Sequence, residues 1–259
     1  MNKNYYYIII IFLLFYCLFI LNHILKKKDN FDNKHNHIII FYHIASIGDW
    51  KYILNEQLRL IKSSGLYHKA KKIYIGFLGN KEDILPYLNN KIDLIYHSNN
   101  IKEYEIPTIN KLLTFSKTNP NTYILYIHNK GSTKKICNGI NGQYYWRQLM
   151  NYWNITRFQD NINYLKKGFM TSGINYMNNH YSGNFWWANT NYLRNLNRII
   201  SNKNRLNAEF WLLDKNKIVK GKHISLFGPY ISSRKDICSG LYGMILDINN
   251  NKHKNIKII

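Results

Sequence analysis

Unbroken apolar runs alternate with amphipathic stretches through the first half of the chain. His37 to Ala45 (HIIIFYHIA), Lys72 to Gly79 (KIYIGFLG), Ile92 to Ser98 (IDLIYHS) and the segment TYILYIH before Asn129 are short and rich in β-branched or aromatic residues. Runs of this kind, with no polar alternation, predict strands covered on both faces. Between the first two, DWKYILNEQLRLIKSSGLYHKAKK puts Ile53, Leu54, Leu58 and Ile61 at helical spacing, with Asp49 as N-cap and Gly65 as stop. IPTINKLLTFSKTNP predicts a second helix that begins near Pro107 and closes before Pro120. Strand–helix alternation of this length predicts an α/β fold with a mostly parallel sheet flanked by helices.

The second half changes character. YYWRQLMNYWNITRFQDNINYLKKG reads as mainly helical, and His180 to Leu196 joins a polar loop, an aromatic strand-like run and a helix. NRLNAEFWLL predicts a short amphipathic helix and HISLFGPY a late strand. These strands are too few for a separate sheet, so residues 38–259 form one domain, with halves at 38–136 and 137–259. Ahead of it, Tyr5 to Leu25 runs 21 residues without a charge. That is the length of a membrane-crossing helix, and no small-residue cleavage site follows. The expectation is a transmembrane anchor over residues 1–28 and a short stem over 29–37. Lys26, Lys27 and Lys28 favour a cytosolic domain by the positive-inside rule, whereas an enzyme of the ER or Golgi lumen needs the reverse; the side stays open.

Charge adds less than its size suggests. Lys and Arg number 36 against 14 Asp and Glu, a formal net charge of +22. Such a field favours phosphorylated substrates, polyanions or anionic membranes. The abundance of Asn, Lys, Ile and Tyr, however, equally reflects codons rich in A and T, so charge alone names no partner. The lysines are spread along the chain, which argues against a nucleic-acid binder. Cys17, Cys137 and Cys238 have no metal-ligand spacing, so no structural zinc is expected, and Cys137 and Cys238 read equally as a disulfide or as two thiols.

Candidate chemistry gathers after the fourth strand. Ligands of parallel sheets bind where the strands end. There His128-Asn129-Lys130-Gly131-Ser132 offers an ammonium, a close-approaching backbone and a hydroxyl, with Thr133, Lys134 and Lys135 following. These are parts for holding phosphate oxygens, although the spacing is not that of a Walker A loop. A plain turn, with His128 satisfied by backbone, is the competing reading. Acids are scarce: between Ile106 and Lys235 only Asp160, Glu209 and Asp214 occur. Glu209, in the apolar context AEFWLL, suits a general base, or else pairs with Arg205 four residues earlier. In HYSGNFWWANT, Trp186 and Trp187 point to opposite faces of a strand. One is then core and the other a stacking platform for a sugar, with His180, Ser182 and Asn184 as polar contacts, unless both are core.

FYHIA, SGLY, PTINKLLTFSKTNPNTYILYIHNKG, YYWRQLMNYW, HYSGNFWWANTNYL and AEFWL, in this order over residues 38 to 230, resemble the GT-A-like nucleotide-diphospho-sugar glycosyltransferases. They are also distantly similar to the rhamnan synthesis protein F type. The resemblance implies hexosyl transfer from a nucleotide-sugar donor to a glycan or protein acceptor. It assigns Tyr42, His43, His128, Lys130, Gly131 and Ser132 to the donor, and Glu209 to the base. Trp146, Arg147, His180, Ser182, Gly183, Asn184, Trp186 and Trp187 fall to the acceptor. The Asp-x-Asp that holds Mn or Mg in most such enzymes is replaced by His128-Asn129-Lys130, so no metal ligand is assigned, metal dependence stays open and Lys130 takes over the leaving diphosphate. The alternative is a non-catalytic carbohydrate-binding protein on the same fold. Asn154-Ile155-Thr156 is a glycosylation sequon, usable only in a lumenal domain.

Overall fold

The computed structural model describes residues 13, 16–20, 37–132, 142–200, 204–227 and 257–259. The chain divides into two units, Met1–Asn36 and His37–Ile259. Residues 13 and 16–20 are helical, and Cys17 is an exposed free thiol. Among the described residues no helix is long and apolar enough to cross a membrane. The rest of the expected span, nearly all of the stem, and Cys137 and Cys238 lie outside the described residues.

The second unit runs β1 (Ile38–Ala45), α1 (Trp50–Ser63), α2 (Leu66–Lys69), β2 (Ala70–Leu78), β3 (Ile92–Ser98), α3 (Ile106–Thr118) and β4 (Tyr123–His128). It continues with α4 (Gly142–Asn151), a π-helical turn (Tyr152–Thr156), α5 (Phe158–Lys166), β5 (Thr171–Gly173), β6 (Tyr176–Met177) and β7 (His180–Tyr181). β8 (Trp186–Asn189), α6 (Thr190–Leu193), α7 (Leu206–Phe210), β9 (His223–Ser225) and β10 (Lys257–Ile258) complete it. The helix boundaries follow local chemistry. Gly65, at φ +81°, supplies the left-handed conformation that ends α1. Pro107 sits in the first turn of α3, where its missing N–H is not needed. Asp49 precedes α1 without a side-chain cap; its backbone N–H instead donates to the Ser132 carbonyl at 3.3 Å.

One eight-stranded sheet has the order β10-β9-β5-β8-β4-β1-β2-β3. β1 pairs in parallel with β2 and β4, and β2 with β3, as the unbroken apolar runs predict. The second half adds its strands to this sheet: β8 joins β4 antiparallel, and β5 and β9 extend the edge. Two apolar layers cover the faces. Ile40, Tyr42, Ile44, Leu125, Ile127 and Trp187 pack with α1, α4 and α5. Ile39, Phe41, Ile124, Tyr126 and Trp186 pack with α3, α6 and Trp211.

The two tryptophans therefore point to opposite faces, as strand geometry requires, but neither is a platform. Trp186 is 1% and Trp187 0% exposed. Trp186 stacks on Tyr126 at 5.0 Å, and Trp187 donates its indole N–H to the Asn154 carbonyl at 2.9 Å. Helices cover both sheet faces, so both rings are core and the reading as acceptor contacts is corrected. Asn154, the sequon residue, is also fully buried and donates to the Met150 carbonyl at 3.0 Å. Its amide is closed to glycosylation in the folded domain.

Candidate functional site

β1 and β4 end side by side, with His43 opposite His128. Beyond them the Asn129 side chain imitates one more backbone pairing: Oδ1 accepts from the Ala45 N–H at 3.0 Å, and Nδ2 donates to the Ala45 carbonyl at 2.7 Å. The chain then turns through Lys130 into Gly131, whose φ is +85°. A buried network holds this turn from behind. Arg147 on α4 pairs with Glu56 on α1 (Nε to Oε1, 2.9 Å) and donates Nη1–H to the Lys130 carbonyl at 3.1 Å. Gln148 and Asn151 also donate to Glu56. Gln57 donates to the carbonyl of His128 at 3.4 Å and to Asn151 Oδ1, and accepts from the Tyr42 hydroxyl. Arg147 is 2% exposed and Tyr42 0%. Their assignment to acceptor and donor contacts is thus corrected: both stand behind the loop and fix its shape.

Over the strand ends opens a cavity of about 620 Å³. It brings together His43, His128, Lys130, Gly131 and Ser132 from the donor set, Trp146, Ser182 and Gly183 from the acceptor set, and Glu209. Gly183, at φ +89°, has no room for a side chain, since a Cβ would stand 2.2 Å from Met150 Sδ. Asn184 lies behind this wall, 1% exposed, and bonds to Glu105 and Trp186. His180 is not in the cavity; its ring packs on Phe210 at 4.8 Å.

Two histidines form the floor. His43 Nδ1 is hydrogen-bonded to Thr108 Oγ1 at 2.8 Å, and burial pushes its pKa down to about 4. His128 donates Nε2–H to the Gly183 carbonyl at 2.9 Å. Burial, reinforced by the Lys130 charge, pushes its pKa down to about 3. Both are neutral imidazoles at pH 7. Glu209 differs from its expected apolar seat. α7 buries Ala208, with Trp211 and Leu212 also buried, whereas Glu209 is half-buried and faces the cavity. Arg205 also lines the cavity, and no Arg205–Glu209 ion pair occurs among the described residues.

The loop between β3 and α3 contributes residues the sequence reading passed over: Lys102, Tyr104 and Glu105 line the cavity. Tyr104 holds φ 54° and ψ −148°, a conformation unusual for a residue with a side chain. The signal was available, because this loop leaves the carboxyl end of a parallel strand. Glu105 stands directly ahead of the acid-poor stretch that begins at Ile106. Among the described residues no group of three or more His, Cys, Asp or Glu is placed to hold a metal ion.

Residues 41–228 match the profile of a domain of unknown function, DUF8361. Among solved structures, Rv0371c from Mycobacterium tuberculosis H37Rv is similar at 10% identity and a TM-score of 0.41, covering 82% of this chain and 99% of that one. The 4-diphosphocytidyl-2C-methyl-D-erythritolsynthase of Anaerococcus prevotii DSM 20548 is similar at 14% identity and a TM-score of 0.34, covering 84% and 99%. No curated protein matches the chain.

Proposed function

We propose that this chain, which belongs to the DUF8361 family, is a glycosyltransferase that moves a sugar from a nucleotide-diphospho-sugar to a glycan or protein hydroxyl. The observation that carries the reading is the sharing of one cavity, at the carboxyl ends of β1 and β4, by the Lys130–Gly131–Ser132 turn and the Glu209 carboxylate. The Lys130 ammonium and the turn's backbone suit the diphosphate. Glu209 removes the acceptor proton while the new bond forms at the anomeric carbon and the bond to the diphosphate oxygen breaks. The leaving charge is met by Lys130, in the way fixed charges stabilise developing anions elsewhere. Trp186 and Trp187 are buried and offer no exposed platform for a sugar. Attachment to a membrane through Tyr5 to Leu25 belongs to the same proposal.

The test is release of nucleoside diphosphate by the full chain from a panel of nucleotide-sugars, with and without EDTA. Wild type turns over one donor in both conditions, and Glu209→Gln loses about 10²- to 10⁴-fold, the usual contribution of a general base. Equal release by Glu209→Gln would remove Glu209 from the chemistry. Absence of turnover with every donor would sink the reading as a whole.

A further inference from the structure

Glu105 has its two carboxylate oxygens in different situations. Oε2 accepts hydrogen bonds from the Tyr126 hydroxyl at 2.8 Å and from Asn184 Nδ2 at 2.7 Å. Both donors are fixed. Burial, reinforced by the Glu105 charge, raises the Tyr126 pKa well above the usual phenol value, so its proton stays on. The Asn184 carboxamide cannot turn, because its Oδ1 already accepts the Trp186 indole N–H at 2.9 Å. Oε1 has no hydrogen bond among the described residues. It lies 4.0 Å from His128 Nε2, whose hydrogen goes to the Gly183 carbonyl. Glu105 lines the cavity. One oxygen is therefore anchored and the other is left to a ligand.

Position says which part of a ligand. Glu105 opens α3 and bonds to Tyr126, in the layer on one face of the sheet. The Lys130 turn is tied through Arg147 and the Asp49–Ser132 bond to α4 and α1, which pack on the other face. Asn184 Nδ2 also donates to the carbonyl of Ala208 at 3.4 Å, which ties α7, the helix that carries Glu209, to the Glu105 side of the cavity. A carboxylate oxygen repels phosphate and accepts from hydroxyl. Resting on the proposed glycosyl transfer, we infer that Glu105 is a substrate-binding carboxylate whose Oε1 accepts a hydrogen bond from a sugar hydroxyl, on the side of the cavity away from the diphosphate.

Glu105→Gln tests this without disturbing the anchor. The amide oxygen still accepts from Tyr126 and Asn184, and an NH₂ group replaces the oxygen facing the cavity, turning an acceptor into a donor. The expected result is an unchanged melting temperature and unchanged affinity for the nucleoside diphosphate released by wild type. The KM for donor or acceptor rises about ten- to a hundredfold, the loss typical of a hydrogen bond to a charged group. Whichever KM moves names the sugar. Deoxy analogues of that sugar, each lacking one hydroxyl, identify the group: wild type loses the same factor on one analogue, and Glu105→Gln loses nothing further on it. Unchanged KM values for both substrates would overturn the inference, and so would a lowered melting temperature with loss of nucleotide binding, which marks a structural role. If wild type transfers no sugar, saturation-transfer NMR with a panel of methyl glycosides replaces the kinetics. Glycoside binding by wild type but not by Glu105→Gln keeps the inference while the transfer reading fails, and equal or absent binding ends both.

Discussion

His43 and His128 show how burial sets chemistry at single residues. Each has lost its water and gained one hydrogen bond, and their pKa values stand at about 4 and about 3. An unfolded chain protonates the same rings near 6.5. Below that pH the unfolded state therefore binds more protons than the folded state, and stability falls as pH falls. The penalty starts near pH 6.5 and grows until the folded pKa values are reached. By pH 5 it amounts to at most about 2 kcal/mol per ring, at about 1.4 kcal/mol for each pH unit. Melting temperatures between pH 7.5 and pH 5 should fall for wild type and fall less steeply for His128→Asn; an equal slope would show that His128 is not the group responsible. Trp187, fully buried, belongs to a different class of residue. Trp187→Ala should cost about 3–5 kcal/mol in denaturant unfolding, whereas loss of an exposed platform would cost far less stability. The sequence could show that Trp186 and Trp187 face opposite ways. It could not show that their strand lies inside the covered sheet, between β4 and β5, which is what decides between platform and core.

At the scale of elements, the Glu56–Arg147 pair joins α1 to α4 and, through the Lys130 carbonyl, both helices to the turn over the cavity. Its side chains are 8% and 2% exposed, so removing one partner strands a charge in the interior. Glu56→Leu or Arg147→Met alone should cost about 3–5 kcal/mol, and the double substitution clearly less than the sum, since buried pairs are replaceable by apolar partners. The double variant should also bind the nucleoside diphosphate more weakly, because the carbonyl of Lys130 loses its anchor. Additive stability losses in a denaturant double-mutant cycle would break the argument. No spacing rule could have found this pair, whose partners are 91 residues apart. The parallel half of the sheet was legible because each strand is a long β-branched run. β5 was not separable in advance: three residues, TSG, carry no periodicity and form a strand only because β8 and β9 lie on either side of them, whereas β9 falls within the late strand that HISLFGPY predicts. The cavity followed the same division. The Lys130 turn lies at a strand end with its own composition, while Glu105 is marked only by the topology of the loop before α3.

For the whole molecule the question is whether a charge of +22 or a built site holds an anion. A diffuse field acts through screened distances, about 10 Å at 0.1 M salt, and releases counterions in proportion to the phosphates it neutralises. A site acts through a few partly desolvated contacts at fixed geometry, here the Lys130 turn with its carbonyl held by Arg147. The two give different salt laws. Binding of a DNA duplex to the full chain should weaken along a steep line of log K against log salt, losing about 10³-fold or more between 50 and 200 mM if six or more phosphates are neutralised. Nucleoside diphosphate, with one or two such contacts, should weaken only a fewfold over the same range. Lys130→Ala should lower nucleotide affinity about tenfold and leave the DNA line in place, because one lysine among 36 basic residues scarcely changes the field. Titration calorimetry for the nucleotide and fluorescence anisotropy for the duplex, in one salt series, measure both slopes. A nucleotide slope as steep as that of DNA, insensitive to Lys130→Ala, would mean that the field and not the turn binds the anion, and the diphosphate assignment of Lys130 would fall with it.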